Sequence, residues 1–319
     1  MIKYSVIVPL YNEELVIAET YKRLTAVMRQ TDGDYEIVFV NDGSRDRTEN
    51  MAREICEFDK NVRLINFSRN FGHQTAITAG MNESRGQAVV VIDADLQDPP
   101  EIILQMIEKW KQGYDVVYGK RSVRKGETAF KKVTAKLFYR LLASMTNIDI
   151  PVDAGDFRLI DRKVCDAIKT LGERNRYMRG LVSWVGFKQT SVSYVREERF
   201  AGETKYPLKK MLKFALDAVT SFSDKPLKIA GYAGYFISAA SFVYLLVVVI
   251  QKLMGMDFDT GWASIVAISL FFNGIILIVL GIMGEYIGRI YDECKNRPLY
   301  IIDEKVNFDD CADRETDKD

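Results

Sequence analysis

Two stretches without a single charged residue, Ile229–Gln251 and Thr260–Gly284, constrain this chain more than any other feature. Each is long enough to cross a bilayer as a helix, which takes about 20 apolar residues. The link between them, LMGMDFDTG, is short, so the pair reads as a hairpin. Lys225 and Lys228 precede the first run, and Arg289, Lys295 and Arg297 follow the second. The link carries only Lys252 at its edge, so the positive-inside bias puts both termini in the cytosol. Tyr232, Tyr235, Trp262, Tyr286 and Tyr291 stand near the ends of the runs, where interfacial aromatics belong. Ser238, Ser241 and Gly274 are small enough to let the two helices approach. The competing reading is a pair of buried helices in a soluble protein. Spans free of charge argue against a transporter, which needs polar groups at membrane depth.

The remainder has a different grammar. Tyr4–Pro9, Tyr35–Asn41, Val62–Phe67, Ala88–Asp93 and Val116–Gly119 read as buried strands. Helical spacing fills the gaps, at Glu14–Arg29, Thr48–Phe58, Gln74–Glu83 and Pro100–Gln112. Repeated βα units predict a Rossmann-like, mostly parallel sheet with helices on both faces. The 319 residues suffice for one such α/β domain plus the hairpin. Lys+Arg and Asp+Glu are both 44, so no charge bias points to nucleic acid. The 4 cysteines are scattered without a C-x-x-C pair, which argues against a zinc site or a disulfide framework. The single histidine, His73, rules out a Ser-His-Asp arrangement built elsewhere and reads as a helix-start hydrogen-bonder. Neither G-x-G-x-x-G after the first strand nor G-x-x-x-x-G-K-[ST] occurs. Basic amphipathic patterns at Glu127–Thr146 and Pro207–Phe222 suit either a membrane surface or a solvated helix face. The end, Asp303–Asp319, is polar and acid-rich and is expected to be poorly ordered.

Chemistry concentrates at the strand ends. VVVIDADLQDPP runs a buried strand into Asp93 and Asp95, with Gln97 and Asp98 following. In open α/β sheets the carboxyl ends of the strands face the ligand crevice. Two carboxylates there repel unless something positive lies between them, and all-oxygen donors suit Mg²⁺ or Mn²⁺. VPLYNEE and VNDGSRDRT end two more strands in acids, although each also reads as an ordinary turn with a cap. Pro9 is expected to end its ladder, and Tyr11 to offer a ring for stacking. GKR at Gly119–Arg121 is expected to close the fifth strand opposite the acids. DAGDFRL holds Asp153, Asp156 and Arg158, and RFAGETKYP brackets a glycine turn with Arg199 and Lys205. A basic loop of that kind can close over a diphosphate.

In that order, and followed by a membrane hairpin, PLYNEE, VNDGSRDRT, DADLQDPP, GKR, DAGDFRL and RFAGETKYP resemble family 2 inverting glycosyltransferases of the GT-A fold. The chain is most similar to the bacterial polyprenyl-phosphate glycosyltransferases, relatives of dolichol-phosphate mannose synthase. The resemblance implies that Pro9, Tyr11, Glu13 and Asp42 hold a nucleoside. It implies that Asp93 and Asp95 serve the nucleotide and the metal, with Gln97 as a further metal ligand. Arg121, Arg199 and Lys205 would meet phosphates, and Asp156 matches the position usually given to a catalytic base. Asp156, Asp95 and Arg121 are thus the expected catalytic residues. The Q-x-x-R-W motif of processive synthases is absent, which implies one sugar per turnover.

The expected organisation is a cytosolic GT-A domain over 1–206, a juxtamembrane amphipathic helix over 207–226, a transmembrane hairpin over 227–288 and a cytosolic tail over 289–319. The spans fall at about 229–251 and 261–284. The expected reaction moves one sugar from a nucleotide sugar to a polyprenyl (undecaprenyl) phosphate at the inner face of the plasma membrane. UDP and glucose rest on the resemblance alone. Transfer to another lipid such as a diacylglycerol, or a catalytically silent sugar-nucleotide sensor, stays open, as does self-association of the hairpin.

Overall fold

The computed structural model describes residues 2–123, 154–197, 223–254 and 261–308. The chain divides into two units, one built on a sheet and the other on two long helices. In the sheet unit the elements run β1 (Tyr4–Leu10), α1 (Ile17–Met28), β2 (Tyr35–Asn41), α2 (Thr48–Phe58), β3 (Val62–Phe67), α3 (His73–Glu83), β4 (Ala88–Val91), α4 (Ile102–Lys111) and β5 (Val116–Val123). After 124–153 come β6 (Ala154–Asp161), α5 (Arg162–Lys169), α6 (Met178–Trp184) and β7 (Gln189–Val195). A last strand, β8 (Ile302–Val306), returns to the same sheet.

The strand order is β7-β5-β6-β4-β1-β2-β3-β8. β1 is parallel to β2 and β4, β2 to β3, and β5 to β7. β6 runs antiparallel to both β4 and β5, and β8 antiparallel to β3. The carboxyl ends of β1, β2, β4 and β5 therefore share an edge with the amino end of β6. This is the expected GT-A-like α/β sheet, mostly parallel with two reversed strands.

Alternation along the strands sets the two faces. Tyr4, Val6, Val8 and Leu10 of β1 join Ile37, Phe39, Leu64, Phe157 and Leu159 in one fully buried cluster with α1, α2 and α4. Burying Phe157 alone contributes about 2–3 kcal/mol. On the other face α3 lies so close to β1 that a Cβ on Gly80 would meet Ile7 Cγ2 at 2.3 Å. A small cavity on that face is lined by Ile77 and Met81 of α3, Met178 of α6, and Asp156, Arg158 and Ile160 of β6. The residues between them, Phe157 and Leu159, point to the first face, so AGDFRLID reads as a strand buried on both sides.

Several expectations need correction. Pro9 does not end its ladder, which continues through Leu10 opposite Asn41. Ile7 accepts from Ile92 and Leu10 accepts from Asp42 (3.1 and 2.9 Å), so odd residues of β1 face β4 and even residues face β2. Pro9 thus turns its missing N–H toward β4, whose ladder stops at Val91, and no bond is lost. Gly119–Arg121 does not close β5, which runs on to Val123. Part of the expected disordered end is ordered as β8, because it satisfies the open edge of β3. Arg53 grips Glu304 at 2.8 and 2.6 Å, and the Tyr300 ring stacks on Phe67 with centroids 5.2 Å apart.

The second unit contains α7 (Lys225–Leu253) and α8 (Trp262–Cys294). Ile229, Phe236, Val243, Phe271, Leu277 and Ile278 are among the many large apolar residues they leave exposed. Among the described residues one stretch, Phe271–Cys294, is long and apolar enough to cross a membrane. The amphipathic patterns at Glu127–Thr146 and Pro207–Phe222 lie outside the described residues.

Candidate active site

The loops after β1 and β2 hold each other. Ser44 Oγ accepts from the Asn12 amide at 3.0 Å, and Asn12 Oδ1 accepts from the Arg45 amide at 2.8 Å. Thr48 Oγ1 accepts from the Glu13 amide at 2.7 Å. Asn12 has φ 54°, a left-handed value that asparagine tolerates better than most residues. Tyr11 is partly exposed beside this brace. Asp42 has a more structural look than its sequence suggests. It is buried and accepts from the Phe71 amide at 2.6 Å, the Gly72 amide at 2.9 Å and the Asn70 amide group at 2.9 Å. Burial pushes its carboxyl up, against those hydrogen bonds. A carboxylate has about four acceptor positions, and this one spends most of them fixing the loop that starts α3. Gly43 makes the approach feasible: at φ 65°, a Cβ there would meet the Arg69 carbonyl carbon at 2.6 Å.

The acids after β4 form a tight turn. Asp95 Oδ1 accepts from the Gln97 amide at 3.2 Å, and Leu96 is held at φ 56° with its side chain buried. A left-handed leucine costs about 1–2 kcal/mol, and such strain gathers at functional turns. The Gln97 side-chain oxygen accepts from Arg196 at 2.6 Å. Asp98 is buried and accepts from Tyr194 Oη, with Arg121 Nη2 at 3.4 Å. Arg121 thus reaches the acid rim from β5 but is tied to Asp98.

Asp156 stands at the start of β6. It is buried, and Arg179 of α6 forks onto it with Nε–Oδ1 2.9 Å and Nη2–Oδ2 3.1 Å. Gln74 Nε2 donates to Oδ2 at 3.3 Å, and His73 Nε2 lies 3.7 Å from the same oxygen. His73 Nε2 also lies 3.3 Å from Asp93 Oδ1. Burial alone would raise the Asp156 carboxyl, but Arg179 and His73 hold it well below the usual carboxylate range. Burial pushes the Asp93 carboxyl up to about 6, with Asp156, Asp98 and Asp95 adding to the effect and His73 opposing it. Burial pulls the His73 imidazole down, yet Asp93 and Asp156 outweigh it and raise it to about 9.

The structure therefore brings Asp93, Asp98, Arg121 and Asp156 into one charged cluster, with Asp95 and Gln97 in the adjoining turn. Pro9, Tyr11, Glu13 and Asp42 stand at the ends of β1 and β2 on the same edge. Arg199, Lys205 and Asp153 lie outside the described residues. No group of three or more His, Cys, Asp or Glu among the described residues forms a ready metal cage. Asp93 Oδ1 is nevertheless buried with no hydrogen bond beyond its 3.3 Å ion-pair contact with His73, and Asp95 follows two residues later. Mg²⁺ commonly takes one or two carboxylates and completes its shell with substrate phosphates and water, so the residues fit such an ion. Sequence reasoning missed Arg179 and Gln74 and gave His73 a lesser part. The run of arginines at Arg174, Arg176 and Arg179, ahead of the apolar GLV, was the signal available for the first.

Residues 5–169 match the model of glycosyl transferase family 2, and residues 225–290 match that of the GtrB C-terminal hairpin. The chain is 62% identical to a Bacillus subtilis (strain 168) protein named uncharacterized glycosyltransferase YkcC, over 97% of this chain and 95% of that one. It is 43% identical to an SfII prophage-derived bactoprenol glucosyl transferase of Shigella flexneri, over 94% and 97%. It is 42% identical to a prophage bactoprenol glucosyl transferase homolog of Escherichia coli (strain K12), over 94% and 98%. With its acid-rimmed GT-A-like sheet and these relatives, the chain belongs to glycosyl transferase family 2 and is a glycosyltransferase.

Proposed function

We propose that the protein transfers one glucose from UDP-glucose to a polyprenyl phosphate at the cytoplasmic face of the plasma membrane. The observation that carries this reading is the pairing of two kinds of carboxylate at one sheet edge. Asp93 is pushed up to about 6 by burial and faces His73 Nε2 at 3.3 Å, while Asp156 is immobilised by Arg179. The names of the relatives support a polyprenyl acceptor and a glucosyl donor. The uncharged runs within α7 and α8, 229–251 and 262–284, support a membrane hairpin with cytoplasmic termini, which ties the enzyme to the surface that a lipid's reactive head cannot leave.

The nucleoside lies along the ends of β1 and β2, against Tyr11 and Glu13, in a loop that Ser44 and Thr48 brace. Its diphosphate faces Asp93, Asp95 and Arg121. A divalent cation held by Asp93 and Asp95 would neutralise that diphosphate. An oxygen of the acceptor phosphate attacks the anomeric carbon, the bond to the diphosphate breaks with its electron pair, and the configuration inverts. A phosphate monoester has its second pKa at about 6, so the nucleophile arrives ionised. Asp156, clamped and strongly acidic, orients the reactants rather than accepting a proton. Arg199 and Lys205, by the sequence resemblance, would meet the phosphates of the leaving diphosphate.

The test is a panel of radiolabelled UDP-glucose, UDP-N-acetylglucosamine and GDP-mannose with undecaprenyl phosphate or diacylglycerol, in Mg²⁺, Mn²⁺ or chelator. The expected product is an acidic glycolipid made only from undecaprenyl phosphate with metal present, and lost in Asp95→Ala. Label entering diacylglycerol instead, or turnover unaffected by chelator, refutes the reading.

A further inference from the structure

Asp156 is fixed by a side chain that nothing in the reaction chemistry requires to be there. Arg179 presents its fork to the carboxylate, one nitrogen to each oxygen. Such paired contacts set an angle as well as a distance. Gln74 secures both partners: its Nε2 donates to Asp156 Oδ2, and its Oε1 accepts from the Met178 amide at 3.0 Å, one residue before Arg179. The helix carrying Arg179 does not depend on this pair for its seat, because Met178, Leu181 and Val182 are buried around it. A buried ion pair adds little net stability, since both charges lose water. Retaining one at this sheet edge serves geometry better than stability.

We propose that Arg179 is a positioning residue for sugar transfer, acting through Asp156 by locking the carboxylate plane at the amino end of β6. This rests on the crevice being the sugar-transfer site. A lysine in its place keeps the charge but offers no fork, so the planar lock is what separates the two side chains.

The experiment measures kcat and both KM values for UDP-glucose and undecaprenyl phosphate, using the full chain in membranes. The enzymes compared are wild type, Arg179→Gln, Arg179→Lys, Arg179→Ala, Asp156→Asn and the Arg179→Gln/Asp156→Asn double variant. Arg179→Gln is expected to lower kcat about 10- to 100-fold, with the donor KM within about twofold of wild type. The double variant is expected to be no slower than the slower single variant, because both changes remove one device. Guanidinium ion added to Arg179→Ala is expected to restore part of the rate. Additive losses in the double variant overturn the proposal, as does a donor KM that rises about tenfold at constant kcat, which would make Arg179 a donor ligand. Should Arg179→Gln fail to fold, a wild-type rate in Arg179→Lys overturns it alone. Failure of the wild-type arm to glycosylate the lipid counts against the reaction assigned above and is read separately.

Discussion

Replacing Asp156 with asparagine keeps the shape of the side chain and removes its charge. In the wild type the two oxygens take charge-assisted hydrogen bonds at 2.9 and 3.1 Å from one guanidinium. Bonds of that kind contribute about 1.5–3 kcal/mol each. Asparagine has one acceptor oxygen, and in either orientation its NH₂ faces an Arg179 donor, joined by Gln74 if it takes the Oδ2 position. At least one bond is lost, which costs about 2–3 kcal/mol. Expressed wholly in the transition state, that is about a 30- to 150-fold fall in kcat. A general base would give a similar fall, so the decisive readout is the pH dependence. Asp156 is held well below the usual carboxylate range and stays ionised wherever the enzyme works. Initial rates of lipid glycosylation from about pH 5.5 to about pH 9 should therefore keep an acid limb of similar depth in both enzymes. An acid limb present in the wild type and absent in Asp156→Asn would make Asp156 the proton acceptor and refute the positioning argument.

Two further expectations follow from the sheet unit. The His73 imidazole is raised from 6.5 to about 9 on folding, so its stabilisation is complete below pH 6.5 and disappears as pH rises through about 9. Thermal melts in chelator should show wild-type stability falling across that window and His73→Gln with a flatter slope; equal slopes would contradict the ion-pair geometry. At the opposite edge, Glu304→Ala should cost no more than about 1 kcal/mol, because Arg53 and Glu304 are both partly exposed (35% and 42%). Ending the chain after Tyr300 should instead leave β3 bare and give aggregated protein on size exclusion, whereas a monodisperse product of unchanged melting temperature would deny β8 its part in the sheet.

The amino acids by themselves determined whatever depends on near neighbours. Runs such as SVIV and VVVI can only be buried strands, and the intervening periodicity can only be helix. β2, β3 and α2 fall where their hydrophobic patterns begin and end. The acids after β1, β2 and β4 were legible for the same reason: a strand that stops in carboxylates advertises its functional end. The uncharged runs gave two long helices on equally local grounds. Tertiary structure decided what joins residues far apart in the chain. Gln74 and Asp156 are 82 positions apart, and Arg53 and Glu304 are 251 apart. No periodicity links such pairs, and DAGDFRL carries no sign that its strand runs backward between β4 and β5. That reversal delivers Asp156 to the rim with its amino end first, where α6 can meet it with Arg179. The same long-range geometry spends Asp42, Gln97 and Asp98 on neighbouring donors, because a buried polar atom takes the partner that packing provides.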